Sequence, residues 1–298
     1  MAKPKILHML DPRAHVSPFD VNMAVDAGYE VVVPYPGTAL DDVAGLVQDA
    51  IFSRPPGRYN DTGVFIGGQD VNLAADMLKR ARNAMVPPFE VAVLADPNGA
   101  YTTSAALVAI AEKYLRSRSG AGLEGRSVQI LGGGPVGLCT AVLVAQAGGR
   151  PRLVRLTEMT PARAEPVQRF ADRYGIELPW VTGRDDTEKY GALESAEVAV
   201  CCAKAGVQVL SAELMARCER LVVAADVNAV PPSGIEGLGV TDDGAELASG
   251  ALGVGALAIG GIKYRVQRGL LERMMRADRA AVLDFPDAFE LARDLVSS

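Results

Sequence analysis

The chain has 298 residues, 49% hydrophobic and 22% charged, a balance that fits a folded protein of roughly two domains and excludes a disordered one. Thirty basic against 36 acidic residues leave a net charge of −6, which argues against a broad nucleic-acid-binding surface. Two histidines, His8 and His15, and four cysteines with no Cys-x-x-Cys pair leave the usual zinc sites short of ligands and speak against a disulfide framework.

In chain order, KILHML (5–10) is an apolar run closed by Asp11-Pro12, the pattern of a buried strand. In SPFDVNMAVDAG, Ser17 is placed as an N-cap and Pro18 at the first helical position; Val21, Ala24 and Val25 share a face, and Gly28 ends the helix. YEVVVPY, TGVFIGG and FEVAVLAD are the next strands. DDVAGLVQDAIFS, DVNLAADMLKRARNAM and YTTSAALVAIAEKYLRS are the helices alternating with them. Such alternation predicts βαβ units and a mostly parallel sheet. The polar, Gly/Ser-rich segment 116–127 is expected to link two domains. The pattern then restarts with the strand SVQIL, a glycine turn with an apolar helix, the strand RLVRL (152–156) and the helix PARAEPVQRFADRYG. AEVAVCC and RLVVAAD are further core strands, and the residues from Gly260 on are amphipathic and mostly helical. MAKPKILHMLDP is too short an apolar run for a signal peptide, and GALGVGALAIGGI (250–262) is too short and glycine-rich to cross a membrane. A cytoplasmic protein without metal is therefore expected.

The sharpest local signal is Gly132-Gly133-Gly134-Pro135-Val136-Gly137, which fits G-x-G-x-x-G between an apolar strand and an apolar helix. Gly132 would allow the tight turn, Gly134 the approach of a pyrophosphate, and Gly137 the close packing of helix on strand. Pro135 and Val136 open the helix, whose N-terminus favours phosphate. A tight strand–helix turn without ligand remains the alternative. About 20 residues on, where the adenosine ribose is met, stands Glu158. A carboxylate there accepts from both ribose hydroxyls and repels a 2′-phosphate, favouring NAD over NADP. Arg155 and Arg163 flank it and offer a phosphate site instead.

The segments SPFDVNMAVDAG, ADPNGAYTTSAA (95–106), LGGGPVG, ADVNAVPPSGI (225–235) and GALGVGALAIGGIKY (250–264) occur in this order over nearly the whole chain. Together they resemble the NAD(P)-dependent methylenetetrahydromethanopterin dehydrogenases of one-carbon-metabolising bacteria. The resemblance implies an α/β protein of two domains with a cleft between them. An N-terminal βα substrate domain (1–120 with 262–298) would accompany a Rossmann-type dinucleotide-binding domain (121–261). It also implies oxidation of methylene- to methenyl-tetrahydromethanopterin in formaldehyde oxidation, with NAD or NADP taking the hydride and no metal. Hydride loss leaves a cation spread over two substrate nitrogens, so the protein's work is chiefly positioning. A homo-oligomer is expected, with neither nucleic acid nor membrane as partner.

By the resemblance, Lys263 in GGIKY is an active-site lysine. It would repel a developing cation, so orienting the pterin is its expected role; a surface lysine is the plainer alternative. Asp20 can accept from the pterin's amino edge or merely favour a helix start, and Phe19 can flank the ring or pack beneath the helix. Asp96, Asn98, Thr102 and Thr103 follow a strand, where open α/β sheets bind ligands, but D-P-N-G is also a turn signal. Asn228 in NAVPPSG could meet the nicotinamide carboxamide or only stiffen a turn. Gly253 and Gly255 admit close approach of a ring or of the sheet. Two other functions compete. A methylenetetrahydrofolate dehydrogenase would run the same reaction on a folate. A non-catalytic dinucleotide sensor would leave the polar cluster at 96–103 without a purpose.

Overall fold

Apolar runs bounded by turn residues become the strands, and the amphipathic stretches between them become helices. The computed structural model describes residues 4–55, 58–276 and 280–297. They divide into two compact units. Unit one is the chain up to Thr102 with Tyr264–Leu291, and unit two is Thr103–Lys263 with the residues from Ala292 on. The sequence places the first boundary after residue 120, in the Gly/Ser-rich segment. By compactness it falls earlier, within the helix α4 (Ala100–Ser119). The residues from Ala292 on group with unit two, not with the substrate unit to which the sequence assigns them.

Unit one holds β1 (Ile6–Asp11), α1 (Pro18–Ala27), β2 (Val31–Pro36), α2 (Val43–Phe52), β3 (Thr62–Ile66), α3 (Val71–Asn83) and β4 (Ala92–Ala95). Its five-stranded sheet runs β12-β4-β3-β1-β2, with β12 (Val282–Leu283) at the edge and every pairing parallel. β3 and β4 are buried throughout, as central parallel strands require. Pro18 opens α1 and Gly28 closes it at φ 111°. Ser17 holds the N-cap position, but its side chain makes no capping hydrogen bond, contrary to expectation. Asp70 does cap α3, accepting from the N–H groups of Asn72 and Leu73.

Unit two holds β5 (Ser127–Leu131), α5 (Pro135–Gln146), β6 (Arg150–Arg155), α6 (Pro161–Arg173), β7 (Trp180–Thr182), α7 (Asp186–Leu193), β8 (Val198–Cys201), α8 (Ala212–Ala216) and β9 (Val223–Asp226). β10 (Asp243–Glu246) and β11 (Leu252–Val254) follow, and α9 (Ala256–Arg276) then leads toward unit one's last segment. The seven-stranded sheet runs β10-β11-β9-β8-β5-β6-β7 and is parallel except for the β10–β11 pair. From β7 to β11 this is the 3-2-1-4-5-6 order of the doubly wound dinucleotide-binding fold.

The C-terminal region is mostly helical, as expected, through α9 and α10. β12 interrupts it before α10 (Phe285–Ser297), because two residues suffice to pair with β4 at a sheet edge and give no periodic signal. Positions 277–279 and 298 of that expectation lie outside the described residues, as do positions 1–3 of the N-terminal run. The glycine run at 250–262 divides between β11 and the start of α9. Among the described residues no helix is long and apolar enough to cross a membrane.

One buried acid makes stability depend on pH. Asp284, between β12 and α10, has its pKa pushed up to about 6, first by burial and then by the neighbouring Asp287. An acid with a raised pKa binds its proton more readily when folded, so this group costs stability as pH rises from about 4 through 6. The loss is at most about 3 kcal/mol. Asp284→Asn is expected to flatten the fall in unfolding midpoint across that window relative to the wild type. Parallel curves for the two proteins would contradict this.

Candidate active site

In unit two the strand order reverses between β5 and β8, and ligands in open α/β sheets bind outside the strand ends at such a switch point. The glycine turn stands there. Gly132 has φ 120°, and a Cβ on it would lie 2.6 Å from the Cys202 carbonyl oxygen, so only glycine fits between the ends of β5 and β8. A Cβ on Gly137 would overlap the carbonyl oxygen of Gly132, which explains the close packing of α5 on its strand. Gly134 differs. It is the N-cap of α5 in extended backbone, and a Cβ there would meet nothing within 4 Å. The space in front of Gly134 is open, as a cradle for a phosphate needs to be. Pro135 takes the first helical position, and the Leu138 N–H bonds the Gly134 carbonyl at 3.0 Å. That leaves the Val136 and Gly137 N–H groups without intrahelical partners at the positive end of α5.

Beyond β6 the charges are sorted in a way the sequence left open. Arg155, the last residue of β6, leans over the turn, its Nη1 3.4 Å from the Gly133 carbonyl oxygen. Burial lowers its pKa, and the nearby Arg163 lowers it further. Arg163 donates from Nη1 to Thr157 Oγ1 and to the Glu158 carbonyl oxygen, both at 3.0 Å. Among the described residues neither arginine has a carboxylate in an ion pair. Glu158 is exposed, and its charge is felt by Arg184.

Three expected coenzyme contacts have internal partners. Asn228 Oδ1 accepts from the N–H groups of Gly206 (3.2 Å) and Val230 (2.9 Å), and its Nδ2 donates to the Pro232 carbonyl oxygen at 2.8 Å. It staples the loop after β9. The buried Asp226 does the same, accepting from the N–H groups of Asn228 (2.9 Å) and Gly234 (2.6 Å). Gly253 and Gly255 are small because their own chain crosses them. A Cβ on Gly253 would lie 2.7 Å from Leu238, and one on Gly255 would overlap the Gly239 carbonyl oxygen.

In unit one the strand ends gather a second polar group. Asp96, past β4, is fully buried and accepts from the N–H groups of Tyr101 (2.9 Å) and Thr102 (3.2 Å) and from Thr102 Oγ1 (2.6 Å). These bonds close the N-terminus of α4, so turn chemistry accounts for Asp96 and Thr102. Asn98, between them, is exposed in the left-handed region at φ 51°. Asparagine tolerates that region in turns, so it is the exposed side chain past the end of β4 that keeps Asn98 a candidate ligand contact. Thr103, the next residue along α4, is partly exposed and falls in unit two. Phe19 is 46% exposed in the first turn of α1, while Asp20 beside it is buried and accepts from Gln267 Nε2 at 2.8 Å. Gln267 lies on α9 one turn after Lys263, which puts the two on one helix face.

Sequence reasoning missed Gln267, and also Asp11 and Arg13 at the end of β1. For Asp11 a signal existed, a carboxylate ending a parallel strand, whereas Gln267 carries none beyond its spacing from Lys263.

A glycine turn at the switch point of a 3-2-1-4-5-6 sheet, joined to a second parallel α/β unit, defines a two-unit dehydrogenase-type protein. Residues 18–98 match the family model for the N-terminal part of methylene-tetrahydromethanopterin dehydrogenase. The NAD(P)-dependent methylenetetrahydromethanopterin dehydrogenase of Methylorubrum extorquens is 43% identical, over 97% of this chain and 98% of that one. The chain belongs to the family of that enzyme. Solved structures extend the likeness of fold alone. The NAD-dependent malic enzyme of Thermotoga maritima matches 97% of this chain and 84% of its own at a TM-score of 0.57 and 12% identity. The shikimate 5-dehydrogenase of Listeria monocytogenes, solved with shikimate and NAD, matches 98% and 96% at 0.52 and 14%.

Proposed function

We propose that this chain oxidises methylenetetrahydromethanopterin to the methenyl form and passes the hydride to NAD(P)+ in one-carbon metabolism. The observation that carries this reading is the full-length 43% identity, with an open approach to the N-terminus of α5 at Gly134. The oxidised nicotinamide supplies the hydride acceptor. The turn at 132–137 binds the pyrophosphate through backbone N–H groups, while Phe19, Asp20, Asn98, Thr103 and Lys263 hold the pterin. The cationic product spreads its charge over two of its own nitrogens, so neither a strong base nor a metal is required. Initial rates of coenzyme reduction on adding methylenetetrahydromethanopterin test the reading. Turnover on methylenetetrahydrofolate alone would transfer it to the folate enzyme. Coenzyme binding without turnover on either would leave a dinucleotide sensor.

Both coenzymes are proposed to serve, with Arg155 and Arg163 receiving a 2′-phosphate. Two adjacent guanidiniums without an ion-paired carboxylate support this, because an anion between them relieves their repulsion. Glu158, beside Arg184, then discriminates against NADP less than its position in the sequence implies. Arg155→Ala is expected to raise KM for NADP by ~10-fold and to leave NAD nearly unchanged. Equal effects on both coenzymes would place Arg155 at the pyrophosphate instead. A cytoplasmic setting belongs to the same proposal, since it keeps four free thiols reduced. So does self-association, for which the exposed Phe52, Val86 and Phe89 of unit one offer apolar surface.

A further inference from the structure

Unit one has a switch point of its own. Its strand order changes direction between β1 and β3, and the crevice outside such strand ends is where an open sheet takes a ligand. Asp11 ends β1 at that point and is buried. The chain leaving β3 closes on it, for a Cβ on Gly67 would lie 2.6 Å from Asp11 Oδ2.

Asp11 clamps Arg13. The arginine Nε donates to Oδ1 at 2.9 Å and to Oδ2 at 3.2 Å, and Nη2 donates to Oδ2 at 2.5 Å. The Arg13 backbone N–H adds a bond to Oδ1 at 2.9 Å. A guanidinium has five N–H donors. Both hydrogens on Nη1 and the second on Nη2 have no protein partner among the described residues. The Arg13 side chain is 19% exposed, so the pair is not sealed in the core. Asp20 lies within electrostatic reach and, after Asp11, helps keep the guanidinium charged. Gln267 fixes the Asp20 carboxylate from α9, on the helix face that also carries Lys263. Oriented donors and a held carboxylate thus lie within electrostatic reach of each other, past the end of β1.

The group that fits this pair of side chains follows from ring chemistry. An aminopyrimidinone ring offers two adjacent donors, its 2-amino group and N3–H, next to one acceptor, the 4-oxo oxygen. A carboxylate accepts from the first two, and a guanidinium donates to the third. We propose that Arg13 is a substrate-binding residue that donates to the 4-oxo oxygen of the pterin while Asp20 accepts from the amino edge. The assignment rests on pterin oxidation as the reaction and adds the residue that reads the ring's acceptor.

Two competing rings test it, pterin with its 4-oxo acceptor and 2,4-diaminopteridine with a donor in that place. The wild type is expected to bind pterin the more tightly. Removing Arg13 alone would strand a buried Asp11 charge, so the informative protein is the double variant Asp11→Asn, Arg13→Met, which removes the pair together. It is expected to bind NAD(P) as the wild type does and to lose its preference between the rings. KM for methylenetetrahydromethanopterin should rise about 10- to 100-fold. A double variant that keeps both the ring preference and the wild-type KM overturns the assignment. So does a wild type that does not distinguish the rings. A wild type that distinguishes them but reduces no coenzyme sinks the proposed reaction and leaves Arg13 its role.

Discussion

A Gly134→Val enzyme is expected to unfold at the wild-type temperature and to bind NAD(P) about 10- to 100-fold more weakly. The two halves of that result have different causes. Gly134 has extended backbone at φ −82°, which valine adopts freely, and a Cβ there meets nothing within 4 Å. The apo protein therefore has no reason to notice the change. A branched side chain would fill the space in front of the helix N-terminus where the pyrophosphate must come close to backbone N–H groups. Gly137→Ala is the control, because its Cβ overlaps the Gly132 carbonyl oxygen and should destabilise the fold itself. Titration of both variants with coenzyme, together with thermal unfolding, separates a phosphate cradle from a turn that is merely tight. Unchanged coenzyme affinity in a folded Gly134→Val protein would remove the dinucleotide from this turn.

Lys263→Ala is expected to lower kcat/KM for the pterin by ~100-fold, about 2.7 kcal/mol, with coenzyme affinity intact. Lys263 lies on α9, one turn before the glutamine that holds Asp20, and far along the chain from the glycine turn. An ammonium next to a forming cation opposes the reaction electrostatically, so its contribution has to come from orienting the ring. Steady-state kinetics with both substrates varied, plus a coenzyme binding isotherm, check this. Wild-type kinetics in the folded variant would contradict the role. Loss of coenzyme binding would contradict it equally.

The fate of individual residues shows how far the sequence reaches. The turn at 132–137 is legible because each glycine answers a local constraint: a positive φ at Gly132, an overlap at Gly137, an open approach at Gly134. The alternation of strands and helices is legible for the same reason, since periodicity is local. Asp96 and Asn228 look like ligand contacts in sequence because they are polar and follow strands. Each also makes a set of hydrogen bonds that hold a turn, which the sequence alone does not show. Arg13 and Gln267 stayed hidden because their meaning is not local. It depends on β1 lying beside β3 and on a helix from the far end of the chain returning to Asp20. A Gly/Ser-rich segment marks where α4 ends, whereas compactness divides the chain near where α4 begins, a difference that only tertiary contacts reveal.

The most direct measurement follows the hydrogen itself. Methylenetetrahydromethanopterin with both methylene hydrogens replaced by deuterium, incubated with the enzyme and NAD(P)+ in ordinary water, is expected to give reduced coenzyme labelled on the nicotinamide ring. One deuterium should arrive for each methenyl product formed, as direct transfer between two held rings requires. Unlabelled reduced coenzyme, with the deuterium lost to water, would contradict a direct hydride transfer, and the absence of any coenzyme reduction would contradict the reaction altogether.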